Sequence, residues 1–534
     1  MDTLQDEVLE FLGDPATYGI SRVVRFDTHA AAVFLADGLA LKVKRPVRFP
    51  FLDYSTLAKR KAACLAELDV NRRFAPELYR RVVAITREDD GRLAIGGDGE
   101  PIEWAVEMAR FDENQTLDHV AARGEFSDQL AGRLARTIAA LHQAAEPAPA
   151  APWIAAVASY VDQNSAALRE YPSLFAGPRV DKLDRRARAA LQRFRPLLVK
   201  RGELGRIRRG HGDLHLGNIV LLDQRPVAFD AIEFDPVVAS GDVLYDLAFP
   251  LMDLIERNLC GPANLVMNGY LQASQREDDD DGLAALPFFM SLRAAIRAKV
   301  TAARLAAASD NERPAIARAA SRYFALALDL LAPAMPAIVC TGGLSGTGKS
   351  VLARALAPRF PPCPGAVMLR SDVERKTLYG VDETDRLPPD AYRPEVSAQI
   401  YARLTGRAAR IARAGYSVVV DAVFASPSER AAIEAVARDA GVGFCGLFLA
   451  ADLDTRLRRV GGREADASDA DAAVVHRQES YDVGRMTWPV IDAGGTPVQT
   501  LEAACRRLDE HGILAGSTVR GDACIRPRKP PLRR

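Results

Sequence analysis

The chain has 534 residues, too many for one ordinary hydrophobic core, so several domain-sized units are expected. Its 70 basic side chains match 70 acidic ones, which leaves no global field to draw in nucleic acid or a membrane surface; an anion must be held by local arrangements. The longest apolar stretch, Tyr323 to Cys340, is broken by Asp329, Pro333 and Pro336, so no segment is expected to span a bilayer.

The opening residues, Met1-Asp2-Thr3-Leu4-Gln5-Asp6-Glu7, are acidic and lack the basic-then-apolar order of a signal peptide. Seven cysteines lie singly along the chain with no C-x-x-C pair. That speaks against zinc and against a disulfide framework, and suits a reducing cytoplasm; the balanced charge leads one to expect no specific nucleic-acid partner and no membrane partner. The oligomeric state is left open.

Ala30 to Lys44 and Trp104 to Met108 read as strands, with turns at Asp37-Gly38 and Gly96-Gly97-Asp98-Gly99. From about Leu117 onward helices are expected, over Gln129 to Gln143, Lys182 to Arg195 and Leu286 to Ala308. The acidic run Glu277 to Asp281 reads as a solvated loop, since like charges repel and extend a chain. A helix over Arg313 to Leu331 runs into Pro333 and Pro336, which cannot continue it. The boundary falls there, giving domains at 1–332 and 337–516 and a disordered basic tail at 517–534.

Beyond the prolines, short apolar runs (Ala337 to Thr341, Val367 to Leu369, Ser417 to Asp421, Phe444 to Leu449) alternate with helical stretches. Such alternation implies a parallel sheet covered on both faces. The expected fold class is therefore α/β multidomain: a small β-containing lobe leading into a helical one, then a doubly covered parallel sheet.

Two phosphate-handling patterns occupy these domains. In the first, His211-Gly212-Asp213-Leu214-His215-Leu216-Gly217-Asn218 has the spacing of a kinase-type catalytic loop. Asp213 is placed to orient or accept the proton of a substrate hydroxyl. Asn218 can present its carbonyl oxygen to magnesium, and Asp230 follows at the end of an apolar strand as a charged oxygen ligand. Leu39-Ala40-Leu41-Lys42 fits the strand that carries a phosphate-binding lysine; Lys44 points to the same face, so the choice between them stays open. Glu67 on the next helix is the candidate ion-pair partner, and Glu107-Met108-Ala109 the candidate lobe hinge.

The loop, with Gly241-Asp242-Val243-Leu244-Tyr245-Asp246-Leu247-Ala248 beyond it, resembles the aminoglycoside phosphotransferases and related small-molecule kinases of the protein-kinase-like fold. The resemblance implies that Asp213 is the catalytic base, that Asn218 and Asp230 bind magnesium, and that Asp246 braces the loop. The segment before Lys42 has no G-x-G-x-x-G, which favours these relatives over protein kinases and leaves the phosphate lid unassigned.

In the second domain Gly343-Leu344-Ser345-Gly346-Thr347-Gly348-Lys349-Ser350 fits G-x-x-x-x-G-K-[ST] between a strand and a helix. Backbone N–H groups of such a turn, with a helix N-terminus, cradle phosphates; Lys349 reaches the β/γ-phosphates and Ser350 the magnesium ion. The cradle is expected to include Gly343, Ser345, Gly346, Thr347 and Gly348. Asp421 ends an apolar strand and suits the magnesium side. Asp372 lies at the carboxyl edge of the sheet, where open α/β folds bind ligands, and can hold or deprotonate an acceptor hydroxyl. Arg456, Arg459 and Arg463 are candidates for a lid over the transferring group.

These motifs resemble P-loop kinases of the gluconate- and shikimate-kinase type. The whole chain, up to about Gly516, resembles a bacterial fusion of an aminoglycoside-phosphotransferase-like domain with a P-loop ATPase or kinase domain. ATP and magnesium are the implied cofactors, and a small-molecule hydroxyl compound the implied acceptor. Three readings remain: two phosphotransferase sites, one kinase with a regulatory ATPase, or a non-enzymatic nucleotide-binding scaffold.

Overall fold

The computed structural model describes residues 3–49, 52–462 and 467–514. Arg463 and the tail expected at 517–534 lie outside them. The chain divides into two compact units, one of Met1–Tyr160 with Arg195–Asp253 and one of Val161–Phe194 with Leu254–Arg534.

In the first unit six antiparallel strands run in the order Val24–Asp27, Ala31–Ala36, Leu39–Lys44, Glu100–Ala109, Tyr79–Arg87, Leu93–Ile95. The Asp37-Gly38 turn joins the second and third, with Asp37 at φ 48°, a conformation that a short polar side chain tolerates. Both faces are covered. On one, Phe34, Leu41, Val43 and Ile85 pack with Val8, Leu9 and Leu12 of the helix Thr3–Gly13. On the other, Leu35, Ala40, Val106 and Met108 pack with Cys64 of the helix Leu57–Asn71. Thr56 caps that helix by accepting from Lys59 N, and Cys64, Glu67 and Asn71 recur at helical spacing on its buried side.

The same unit carries the helices Leu117–Ala122 and Asp128–Ala144. It also holds two small antiparallel pairs, Ile207–Arg209 with Ser240–Asp242 and Ile219–Leu222 with Arg225–Ala228. The loop 211–218 runs between these pairs.

The second unit contains a five-stranded parallel sheet in the order Val367–Arg370, Val418–Asp421, Ala337–Gly343, Gly443–Ala450, Val490–Asp492. Its central strand, Ala337–Gly343, is buried throughout. Helices lie between the strands; Pro427–Ala440 and Pro497–Glu510 each open with a capping box, Ser426 with Glu429 and Thr496 with Gln499. The fifth strand has three residues, too few for a period-2 pattern to register in sequence.

One expectation is overturned here. Glu277–Gly282 is a helix, not a solvated loop, and Asp279 and Asp280 on it are buried. Arg407, on the helix Pro394–Arg413, donates to both oxygens of Asp280 at 3.0 Å, and Arg410 pairs with Glu277 at 3.2 Å. Cations from elsewhere in the chain relieve the repulsion that the local sequence alone displays. Among the described cysteines, Cys64, Cys340, Cys363, Cys445 and Cys505 are free thiols. Among the described residues no helix is long and apolar enough to cross a membrane.

Candidate functional site

In the first unit, Lys42 and Lys44 leave the same face of their strand, the face on which the Glu67 helix packs. Glu67 serves both: Oε1 lies 2.8 Å from Lys42 Nζ and Oε2 lies 2.6 Å from Lys44 Nζ. Burial opposes the Glu67 charge, but the two ammoniums hold its carboxyl below the usual range.

The lysines then diverge. Lys44 is buried and its second partner is Glu233 at 2.6 Å, with the Tyr54 ring 5.2 Å away. Lys42 instead reaches Asp230 Oδ1 at 2.6 Å. The geometry thus separates the two candidates: Lys44 is locked inward, while Lys42 meets the expected metal-side carboxylate.

Asp230 follows the strand Arg225–Ala228 by two residues, at φ 62°. An Asp at positive φ costs free energy that the surroundings must over-determine. Its N–H donates to the Tyr79 hydroxyl at 3.1 Å, and the next N–H, of Ala231, donates to Asn71 Oδ1 at 2.7 Å. Its side chain is 47% exposed, so the carboxylate opens to solvent beside Lys42. Desolvation opposes its charge, but the Lys42 ammonium prevails and holds its pKa down to about 2.

Asp246 organises the loop 211–218. It accepts from the N–H groups of His211 and Gly212 at 3.0 and 3.1 Å, and its Oδ2 lies 3.3 Å from His142 Nε2. Gly212 sits at φ 80°, and a Cβ there would come within 3.1 Å of the Ala239 backbone, so only glycine fits. The His211 ring is buried and bonded to the Phe229 carbonyl at 2.9 Å; burial lowers its pKa below the ordinary 6.5, which keeps it neutral. Asn218 Nδ2 donates to Asp213 at its backbone oxygen (3.0 Å) and at Oδ2 (3.2 Å). The amide nitrogen is thereby fixed, which settles the orientation of the Asn218 carbonyl.

Glu107, Met108 and Ala109, the candidate hinge, are the last residues of the strand Glu100–Ala109; Ala109 N–H donates to Leu78 O and Arg110 N–H to Gly38 O.

In the second unit, the strand Ala337–Gly343 feeds the glycine-rich turn and the helix Lys349–Leu356. Gly343, Gly346 and Gly348 all have positive φ. A Cβ at Gly343 would lie 2.5 Å from Leu449 O and one at Gly346 2.6 Å from Arg456 O, so close backbone approach enforces both glycines. Thr347 Oγ1 and Lys349 Nζ both donate to Leu344 O, at 2.8 and 3.2 Å. Ser345 N–H donates to Gln478 Oε1 at 2.6 Å.

Arg370, the last residue of its strand, joins the magnesium-side candidates: Nη2 donates to Ser350 Oγ at 3.3 Å and Nε lies 3.4 Å from Asp421 Oδ2. Asp372 lies in the first turn of the next helix, Ser371–Tyr379. Burial and then the Asp421 charge raise its pKa, against the pull of Arg370 and Lys349. Lys349, Ser350, Asp421 and Asp372 therefore act on one electrostatic neighbourhood.

The lid candidates do not all gather there. Arg456 Nε donates to Ser345 O at 2.9 Å, and its Nη1 pairs with Glu479, so it props the turn from outside. Arg459 donates to the carbonyls of Ala493 and Gly495, both at 2.8 Å.

Comparison with known proteins finds two families along the chain, the first of which runs across both compact units. Residues 47–286 match the phosphotransferase enzyme family, and residues 338–481 match an AAA domain family. The chain is a fusion of a phosphotransferase-family domain with a P-loop ATPase or kinase domain. It is 28% identical over 470 residues to uncharacterized proteins of Mycobacterium tuberculosis and Mycobacterium bovis, covering 86% of this chain and 90% of each relative. Similar solved structures include a choline kinase from Cryptosporidium parvum Iowa II (12% identity, TM-score 0.37, 62% of this chain and 95% of that one). An aminoglycoside 2'-phosphotransferase-IIIa complex with GDP covers 61% of this chain and 99% of its own (14%, 0.34). A gluconokinase from Sinorhizobium meliloti 1021 covers 34% and 99% (19%, 0.25).

Two residues escaped sequence reasoning. In the P-loop domain Arg370 was signalled only by a cation closing the apolar run Val367-Met368-Leu369. In the phosphotransferase domain Glu233 carried no signal, because its role depends on a lysine 189 residues earlier.

Proposed function

We propose that the chain is an ATP-dependent phosphotransferase with two nucleotide sites, each passing a phosphoryl group to a hydroxyl of a small molecule. One observation carries this reading: Lys42, Glu67 and Asp230 form a continuous ion-paired set, and Asn218 is bonded to Asp213 on the loop that Asp246 braces.

The donor set suits magnesium. Magnesium is a hard cation that one or two protein oxygens carry together with phosphates and water. Asp230 and the Asn218 carbonyl would hold it in the first domain, Ser350 and Asp421 in the second. Magnesium, when bound, neutralises the phosphate oxygens.

The protein's own part is positioning. Lys42 offers its ammonium to the phosphates, with Glu67 fixing its place. Asp213 takes the acceptor's proton as the acceptor oxygen bonds to the γ-phosphorus and the bond to the β,γ-bridging oxygen breaks, leaving ADP. In the second domain the glycine turn and Lys349 hold the phosphates. Asp372, whose pKa is raised by burial and by the Asp421 charge, takes the acceptor proton.

A second reading, one kinase governed by the P-loop domain, draws on Arg407. This residue pairs with Asp280 of the phosphotransferase domain and with Glu374 on the helix that carries Asp372. Turnover of ATP against a panel of metabolite alcohols, by the full chain with Asp213→Asn or Asp372→Asn, distinguishes them. Two separable acceptor-dependent activities support the first reading; loss of all transfer in Asp213→Asn alone supports the second.

A further inference from the structure

Within the first unit a cavity of about 410 Å³ opens beside the catalytic loop, lined by residues that none of the steps above uses. Its wall is apolar, from Phe74, Leu141, Pro226 and Val227. The Phe74 ring meets the His211 ring edge-on at 5.2 Å, so the cavity adjoins the loop that holds Asp213.

Three arginines line the same space, Arg133, Arg136 and Arg225, against one acidic residue, Glu77. Arg133 and Arg136 stand three residues apart on the helix Asp128–Ala144 and so share a face. Arg133 Nε is buried with no hydrogen-bond partner. Arg225 and Glu77 meet loosely, at 3.7 Å, with side chains 68% and 36% exposed, which leaves the arginine fork available.

We propose that this cavity binds a phosphate monoester with an apolar or aromatic body. Three positive charges against one negative leave two, the charge that a phosphate monoester dianion neutralises. Guanidinium forks match phosphate oxygens in bidentate geometry, which a point-charge ammonium does not. The volume lies in the range of small-molecule sites, and the apolar wall accounts for the organic part. A phosphate monoester is also the class of compound that the proposed reaction releases. The site itself does not rest on that reading, since its charge and shape stand without it.

The test is calorimetric titration with phenyl phosphate. It uses the full chain carrying Lys42→Ala and Lys349→Ala, so that the nucleotide sites are weakened toward the probe. A single binding event is expected, weakened at least tenfold by adding Arg133→Ala with Arg136→Ala. Arg136→Glu, at an exposed rim position, keeps the test sound if the double change perturbs folding, and it should weaken binding in the same direction. Phenol, which lacks the phosphate, should not bind. Absence of binding in the parent, or unchanged affinity in Arg136→Glu, overturns the proposal, whether or not the chain proves to be a kinase.

Discussion

Lys42 Nζ lies 2.6 Å from Asp230 Oδ1 across 188 residues of chain. Lys44, two residues on, is turned into Glu67 and Glu233 instead. The two lysines should therefore fail in different ways. Lys42→Ala is expected to lower kcat/KM for phosphoryl transfer by roughly a hundredfold or more while leaving the fold intact. Lys44→Ala leaves two buried carboxylates facing one another without their shared cation, and should cost on the order of 3–5 kcal/mol of stability. Urea unfolding beside steady-state kinetics separates the two; a Lys44→Ala protein of normal stability and low activity would reverse the assignment.

Much of this site was legible because its chemistry is local. The order Asp213, Asn218, Asp230 and the glycine turn before Lys349 are contiguous signatures, and strand–helix alternation announced the parallel sheet. What stayed hidden depends on distant partners. Lys42 and Lys44 are equivalent in period-2 terms, and only Glu233 and Asp230 tell them apart. The acidic helix at Glu277–Gly282 looked solvated because its counter-ions, Arg407 and Arg410, come about 130 residues later. Arg456 and Arg459 showed a basic helix face, and nothing in the sequence revealed that backbone carbonyls occupy it.

Asp213→Asn should leave ATP affinity in the phosphotransferase domain nearly unchanged, since Lys42, Asn218 and Asp230 remain. Transfer to the acceptor should fall by roughly 10²–10⁴, the usual contribution of a general base. Product formation measured at saturating ATP checks this. Wild-type turnover would remove Asp213 from the chemistry.

Arg407 holds two nearly buried carboxylates, Asp280 at 1% side-chain exposure and Glu374 at 4%. Arg407→Ala should destabilise the second unit by about 3–5 kcal/mol, the cost of leaving buried charge uncompensated. Asp280→Asn in the same chain should recover part of the loss, because it removes one of the two orphaned charges. Denaturant midpoints for the single and double variants decide; strict additivity would mean that the pair does not act as a unit. The same contacts imply that a chain cut between residues 332 and 337 yields a P-loop fragment less stable than the intact protein.

Acid should weaken the first unit in two stages. The His211 ring has a pKa lowered by burial from 6.5, so the unfolded chain takes up a proton that the native one refuses. Stability therefore falls as pH drops below about 6.5. Asp230, held at about 2 chiefly by the Lys42 ammonium against desolvation, adds stability above the ordinary carboxylate range and loses it as pH falls through that range toward 2. Thermal midpoints between pH 7 and pH 3 should show both slopes with the same sign. His211→Gln, whose amide can still donate to Phe229 O, should flatten the upper stage and spare the lower. An unaltered upper slope in that variant would place the proton elsewhere.

Lys349→Ala bears on how the two domains work together. Losing a charge-assisted contact to phosphate should weaken nucleotide binding in the P-loop domain by roughly ten- to a hundredfold. Asp372, with its raised pKa beside Asp421, is the kind of group an acceptor needs and a pure regulator does not, which favours independent turnover. On that footing, transfer by the phosphotransferase domain persists at its normal rate in the folded Lys349→Ala chain. The contrary pull comes from Arg407, which ties Glu374, two residues beyond Asp372, to Asp280 of the phosphotransferase domain. If nucleotide binding at the P-loop shifts that helix, the same substitution lowers transfer at a site that Lys349 never touches. Acceptor-dependent ADP release by the full chain, measured with Lys349→Ala and Asp372→Asn side by side, separates the outcomes. A large loss of first-domain transfer in Lys349→Ala, with Asp372→Asn silent, would make the P-loop domain a regulator.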